Sequence, residues 1–205
     1  MKWLRIALVI AVSSPLAACV SPAVAPAENT TYVKPVAPDD STLSAAQAEV
    51  FGPLAAMVGK KWRGEPLGES SEQQPDYQSW EWALDGAALL IRHALADGSY
   101  GGDTYVYRNA KDEGLTYVYI TTAGFITQGA FTFGDDGSWT AEEVVEGHPE
   151  ITRVRSTVIP GEDGSLVMSG SYLRNGAWEP GHGFIYRETD EAMPVLNAIK
   201  ALSDK

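Results

Sequence analysis

Short runs of alternating apolar and polar residues dominate the chain after residue 59, and they are rich in Tyr, Val, Ile, Thr and Trp. A period of two places successive side chains on opposite faces, so each run predicts a β-strand with one face toward a core. Gly, Asp and Asn separate the runs, as they do in turns between strands. The predicted strands cover residues 60–65, 77–84, 87–95, 103–109, 115–122, 126–133, 138–145, 152–159, 165–174 and 184–188.

The turns between these strands are short, and several contain Asp-Gly or Asn-Gly. Such dipeptides, among them 85–86, 97–98 and 175–176, accept the positive φ angles of tight hairpins. Neighbouring strands should therefore pair antiparallel in an up-and-down order. Closing about ten strands into a barrel removes both exposed sheet edges. The pattern predicts an all-β fold, an antiparallel up-and-down barrel.

Two segments with helical spacing flank the strands. Between residues 41 and 59 apolar residues recur every three or four positions, with Gly52 and Pro53 expected to kink or divide the helix. This helix precedes the first strand and is predicted to plug one end of the barrel. After the last strand, the apolar residues of 192–202 form one stripe, which predicts a C-terminal helix packed on the barrel wall.

The first residues have the order of a secretory signal. Lys2 and Arg5 precede the apolar run 6–12, and residues 16–19 read Leu-Ala-Ala-Cys. This run resembles the lipobox of bacterial lipoproteins, which implies cleavage before Cys19 and acylation of its thiol and amine. The resemblance predicts a lipid bilayer as partner through Cys19. The alternative is an ordinary secretory signal that happens to precede a cysteine.

A Pro/Ala-rich stretch follows the lipobox and has neither helical nor strand period. We therefore predict a leader over residues 1–18, a lipid-anchored linker over 19–40 and a barrel domain with flanking helices over 41–205. The residue after Cys19 is Val20 and not Asp. By resemblance to lipoprotein sorting in Gram-negative bacteria, this implies the outer membrane, with the domain facing the periplasm.

Composition narrows the possible partners. The chain has 15 basic and 27 acidic side chains, a net charge of −12 at pH 7. Such a surface repels phosphates, so we expect no binding to nucleic acid. The single cysteine excludes an internal disulfide.

The first predicted strand carries a family resemblance. Residues 59–64 read Gly-Lys-Lys-Trp-Arg-Gly, which resembles the opening strand of lipocalin-like barrels. In that superfamily an arginine of the last strand often packs across the first-strand tryptophan, which implies a latch between Trp62 and Arg187. The resemblance covers residues 59–188, but two residues, not one, separate Gly59 from Trp62. It implies a lipocalin-like fold and does not transfer a function.

Aromatic residues on two strands are candidates for ligand contact. Trp80 and Trp82 share one strand face, and Tyr105 and Tyr107 share another. If these faces point inward, they would line a pocket for an apolar molecule. The alternative is that they are ordinary core or wall residues.

Arg153 and Arg155 also share a strand face. From the interior they would bind a fatty-acid carboxylate. The alternative is that they are solvated on the outer wall, beside the many acidic groups of this protein.

Metal and catalytic chemistry find little support in the sequence. By resemblance to nitrobindin-like barrels, His182 in Pro-Gly-His-Gly is the best-placed candidate for haem iron, yet these glycines are more typical of a bulge. We predict no cofactor and no metal, because no spaced His/Cys/Glu set is present. Glu142 and Glu143 should point to opposite strand faces and therefore cannot share a proton. No nucleophile elbow or phosphate loop occurs, so an enzyme is the less favoured reading.

Together these features favour a membrane-tethered periplasmic lipoprotein that binds a small apolar or amphipathic ligand inside its barrel. The alternative is an envelope structural or interaction lipoprotein with a solid-core barrel and no small-molecule ligand.

Overall fold

A computed structural model describes residues 45–68, 73–111 and 114–197, and the predicted leader, linker and Cys19 lie outside them. Ten antiparallel strands form a closed barrel in which sequence neighbours pair and the last strand returns to the first. The strands are β1 (Lys61–Pro66), β2 (Asp76–Ala83), β3 (Ala88–Leu95), β4 (Gly101–Arg108), β5 (Leu115–Thr121), β6 (Ile126–Phe133), β7 (Trp139–Glu146), β8 (Ile151–Pro160), β9 (Leu166–Arg174) and β10 (Ala177–Glu188). The predicted all-β up-and-down barrel is confirmed.

The predicted strand positions agree with the observed ones to within a few residues, except in β10. That strand begins at Ala177 and not near residue 184. Its register against β9 shifts between Pro180 and Gly183, so a bulge interrupts this strand, and the sequence pattern predicted only the part after the bulge. The bulge that the two glycines beside His182 predicted is therefore present.

A short helix and a 3₁₀ segment close one end of the barrel, as predicted. Helix α1 (Ala45–Phe51) ends where Gly52 takes a φ of 53°, and the 3₁₀ segment Gly52–Met57 follows. Phe51 and Leu54 are almost fully buried against the barrel core. We call α1 and the 3₁₀ segment the plug. No helix among the described residues is long and apolar enough to cross a membrane.

The predicted C-terminal helix is not formed over the described part of its range, and residues 198–202 lie outside that part. Residues 191–197 have no regular secondary structure. The backbone N–H of Asn197 donates to Gly98 O at 2.9 Å, so it does not pair within a helix. Upstream, Glu191 accepts from Tyr77 Oη at 2.6 Å and from Arg63 at 3.0 Å. The segment therefore crosses the outer faces of β1 and β2 as an extended strap.

Barrel closure depends on a close approach between β1 and β10. The register places Gly64 opposite Tyr186. A Cβ at Gly64 would lie 2.5 Å from the Tyr186 ring, so the ring needs a glycine there. This packing holds the buried Tyr186 side chain under β1, with its hydroxyl directed at β2.

Candidate functional site

The barrel interior contains a cavity of about 660 Å³ between the plug and the opposite rim. The plug end of the cavity is walled by packed aromatic and aliphatic side chains, whereas polar side chains enter it farther from the plug. At the rim the cavity is lined by Tyr100, Phe125, His148 and His182. We use the term hollow half for the part of the barrel around Asp76, His93, Tyr100 and Glu143.

A buried carboxylate is the centre of the polar cluster. Asp76, the first residue of β2, is only 1% exposed. Its Oδ2 accepts a hydrogen bond from Tyr186 Oη at 2.6 Å and one from Gln78 Nε2 at 3.3 Å. Its Oδ1 contacts His93 Nδ1. The two hydrogen bonds to Oδ2 offset part of the cost of burying this group, whereas Oδ1 has the His93 contact but no hydrogen bond among the described residues.

Two tyrosines stand beside His93. The ring centroids of His93 and Tyr100 are 5.5 Å apart, and those of His93 and Tyr119 are 6.0 Å apart. Tyr119 Oη donates to Tyr100 Oη at 3.1 Å. Burial raises the pKa of Tyr100 to about 12 and moves the pKa of Tyr119 further in the same direction, so both stay protonated at neutral pH.

Consecutive glutamates on β7 have opposite surroundings. Glu143 points into the cavity and accepts from Thr127 Oγ1 at 2.6 Å. Burial raises the pKa of Glu143, and the Thr127 hydrogen bond opposes the rise only in part. Hydrogen bonds from Arg155 and Arg153 lower the pKa of Glu142 on the outer face. The predicted opposite orientation of the two carboxylates is confirmed.

The other two histidines line the cavity nearer the rim. His148 Nδ1 accepts the backbone N–H of Ile151 at 3.0 Å. His182, the weak haem candidate, lies in the β10 bulge with Nδ1 2.7 Å from Gln73 Nε2. Burial lowers the pKa of His182. No group of three or more potential metal-ligating side chains occurs among the described residues.

The predicted aromatic candidates divide between the interior and the outer surface. Trp80 lines the cavity, and Trp82 packs edge-on against Phe51 of the plug with ring centroids 5.3 Å apart. Tyr105 and Tyr107 lie on the outer face, each 39% exposed. Both flank Val106, which is fully buried, so an interior role for these tyrosines is excluded.

The two candidate arginines lie on the outer wall. Arg153 and Arg155 both bind Glu142, with shortest distances of 2.8 Å, and Arg155 also stacks 4.6 Å from the Trp178 ring. Their neighbour Val154 lines the cavity. They therefore cannot bind a carboxylate inside the barrel, and they lie on the outer wall beside an acidic group, as the alternative had it.

The predicted latch between Trp62 and Arg187 is not formed. The register pairs Trp62 with Glu188 and Arg63 with Arg187, so Trp62 and Arg187 lie on opposite faces of the sheet. Trp62 is buried in the core, whereas Arg187 pairs with Asp163 at 3.0 Å on the surface.

The sequence analysis did not identify Asp76, His93 or Glu143 as interior groups, although a signal existed for two of them. His93 is in phase with Leu89 and Ile91 on β3, and Glu143 is in phase with Trp139 and Ala141 on β7. A polar residue in the apolar register of a strand therefore marked both interior groups. Asp76 had no such signal, because it begins its strand.

The chain matches no protein-family model and no curated protein. The cavity combines an apolar wall, an imidazole in contact with a buried carboxylate and protonated tyrosine hydroxyls.

Proposed function

We propose that the barrel binds one small apolar or amphipathic molecule in its cavity. The hollow interior is the single observation that carries this proposal. Its volume of about 660 Å³ is typical of ligand sites, which span roughly 300 to 1,000 Å³. Most lining side chains are apolar or aromatic, and polar side chains such as His93, Thr127 and Glu143 also face the space, as in sites that orient a ligand.

The distribution of lining groups supports an amphipathic ligand. Phe131, Trp139 and Val158 provide an apolar wall toward the plug. His93 and Tyr100 stand on the side of the cavity away from the plug. We expect the apolar body of the ligand to lie against the first group and its polar atom to contact the second.

A pair of matched substitutions tests the proposal. Ala141 lines the cavity, whereas Ala130 lies on the outer face of the adjacent strand β6. Titration of the full chain with cis-parinaric acid, followed by fluorescence, should give saturable one-to-one binding. Ala141→Trp should weaken it at least about tenfold because the indole fills the cavity, and Ala130→Trp should leave it unchanged. Equal affinities of both variants, or no binding by the unaltered chain, would contradict the proposal.

We further propose that the barrel is lipocalin-like and is tethered to the outer membrane, facing the periplasm, through acylated Cys19. The Leu-Ala-Ala-Cys run at residues 16–19 and Val20 support the tether, and the closed antiparallel topology supports the family resemblance. Incorporation of labelled palmitate into the full chain should occur and should be lost in Cys19→Ser. Retention of label in that variant would exclude the tether.

The alternative, an interaction lipoprotein with a solid core, has one supporting observation. Tyr105, Tyr107 and Ile120 expose apolar surface on β4 and β5. The hollow interior does not fit that alternative. If neither cis-parinaric acid nor a co-purified lipid binds the full chain, the outer surface becomes the better candidate for function.

A further inference from the structure

The contact between Asp76 and His93 favours one tautomer of the imidazole. A carboxylate against Nδ1 favours a proton on that nitrogen and leaves the lone pair on Nε2. The ring lines the cavity, and among the described residues no group forms a hydrogen bond with Nε2. A carboxylate behind an imidazole also fixes the orientation of the ring. This arrangement is that of a general base.

A hydroxyl donor stands next to this base. Tyr119 donates its proton to Tyr100 Oη, so the proton of Tyr100 is available to a third acceptor. The Tyr100 and His93 rings are 5.5 Å apart and inclined at 70°. Both residues line the cavity, so an imidazole nitrogen and a phenolic hydroxyl are available to one ligand there. These groups match a carbonyl oxygen and the C–H bond beside it.

We propose that the cavity is an active site in which His93 moves a proton on the carbon next to the carbonyl group of an amphipathic ligand. Tyr100 donates a hydrogen bond to the carbonyl oxygen, and Asp76 acts as a positioning residue for His93. The inference rests on the proposed binding function and adds to it a reaction class, keto–enol proton transfer or the isomerisation that follows from it.

The step balances without a further reactant. His93 Nε2 takes the proton, the C–H electron pair forms a carbon–carbon double bond, and the carbonyl π pair moves to the oxygen. Tyr100 stabilises the charge that develops there, as preorganised donors do in other acyl and enol chemistry. Return of the proton to the same carbon, or to a conjugated one, restores the carbonyl and regenerates the neutral imidazole.

The other cavity histidines are less suited to this role. His148 Nδ1 is occupied by a backbone N–H, and His182 Nδ1 faces the Gln73 amide. Within the described ranges, neither ring has a buried carboxylate in contact with it. Among the three histidines, only His93 combines a ring that lines the cavity with a contact to a buried carboxylate.

Hydrogen–deuterium exchange of 2-tetralone, an apolar bicyclic ketone, tests the inference on the full chain in D2O. Proton NMR should show loss of the protons beside the carbonyl at a rate above buffer. His93→Gln should lower the enzymatic rate by about 10² or more, the usual contribution of a general base, and Tyr100→Phe by about tenfold. Arg92→Gln, an outward-facing neighbour of His93 on β3, is the matched control and should leave the rate unchanged.

The role of Asp76 is tested by measuring kcat and KM separately. Asp76→Asn should lower kcat at least about tenfold with KM nearly unchanged, because the ligand does not contact Asp76. Near-UV circular dichroism verifies that each variant is folded. If Asp76→Asn does not fold, His93→Asn provides a second test of the same base, and retention of exchange in that variant would refute the inference.

Binding and exchange are measured separately, so the two proposals fail in different ways. Quenching of tryptophan fluorescence reports binding of 2-tetralone and of cis-parinaric acid. Binding without exchange overturns the catalytic inference and leaves the binding function intact. If neither ligand quenches the tryptophan fluorescence, the binding function itself is overturned. If exchange survives in His93→Gln but is lost in His182→Gln, the base is His182 and not His93, and the inference is overturned.

Discussion

The two halves of the barrel use the same strands for different purposes. Near the plug, Leu54, Leu89 and Val106 are fully buried in a continuous apolar cluster. In the hollow half, the inward positions of those strands carry His93 and other polar groups around a cavity. Alternation along a strand determines which side chains point inward. The plug fills the interior at one end only, so the cavity lies toward the other end. Stability should therefore depend mainly on one half and ligand chemistry on the other.

The largest effect on stability should come from the plug. Leu54→Ala removes a fully buried side chain and should lower the free energy of unfolding by about 3 kcal/mol, measured by urea denaturation. Leu95→Ala, at the cavity in the hollow half, should cost less than about 1.5 kcal/mol because its side chain already borders empty space. Equal losses would remove the distinction between the halves.

The polar cluster should contribute less to the free energy of unfolding than the plug does, but more than the outer wall does. Tyr186→Phe removes the 2.6 Å hydrogen bond to Asp76 and should lower the free energy of unfolding by about 2 kcal/mol. Tyr105→Phe on the outer face is the control and should be nearly neutral. A neutral Tyr186→Phe would mean that Asp76 does not depend on this donor.

The pH dependence of stability should separate Glu143 from its neighbour. Because the pKa of Glu143 is raised in the folded state, its stabilising contribution is present below the unfolded pKa and is lost as pH rises through the folded pKa. Glu143→Gln should therefore become more stable than the unaltered chain toward neutral pH, by on the order of 1 kcal/mol. Denaturant melts between pH 4 and pH 8 measure the difference.

Glu142 provides the control with the opposite sign. Its pKa is lowered in the folded state, so its contribution is present above the unfolded pKa and is lost as pH falls. Glu142→Gln should be less stable than the unaltered chain at neutral pH, and the difference should shrink on acidification. Parallel pH profiles for the two variants would contradict the opposite shifts.

The smallest effect belongs to the outer wall. Arg153→Ala removes an exposed ion pair with Glu142 and should change the free energy of unfolding by less than about 0.5 kcal/mol, with the remaining difference screened by salt. Ligand affinity should not change, because this arginine does not reach the cavity. A loss of cis-parinaric acid binding in this variant would place the ligand outside the barrel.

Most of the fold follows from the sequence because strands and turns leave local signals. The period of two and the Asp-Gly and Asn-Gly dipeptides located β1 to β9, the second half of β10 and the order of the strands. Gly52 and Pro53 likewise marked the division of the plug. The apolar stripe near the C-terminus predicted a helix that is not formed over the described residues. The backbone of Asn197 pairs instead with Gly98 of a distant turn, and no local pattern encodes that contact.

The site was less predictable because it depends on register. On β4, Thr104, Tyr105, Val106 and Tyr107 are all compatible with either face, and only pairing with β3 and β5 decides that the tyrosines point outward. Asp76 and His93 meet diagonally across β2 and β3, where the register joins His93 to Gln78. A shift of one residue in the register would have placed Tyr105 and Tyr107 inside the barrel and His93 outside it.

The pairing of β1 with β10 has a consequence for how the chain folds. Every other strand pair joins sequence neighbours, but this one brings Trp62 opposite Glu188. Local hairpins form early, whereas contacts between distant residues must overcome loop entropy before they stabilise the fold. The wall around the cavity should therefore be completed last, and a chain shortened before β10 would expose two sheet edges to other molecules. Ligand binding would then report completion of folding, since no partly assembled meander encloses the space that a ligand occupies.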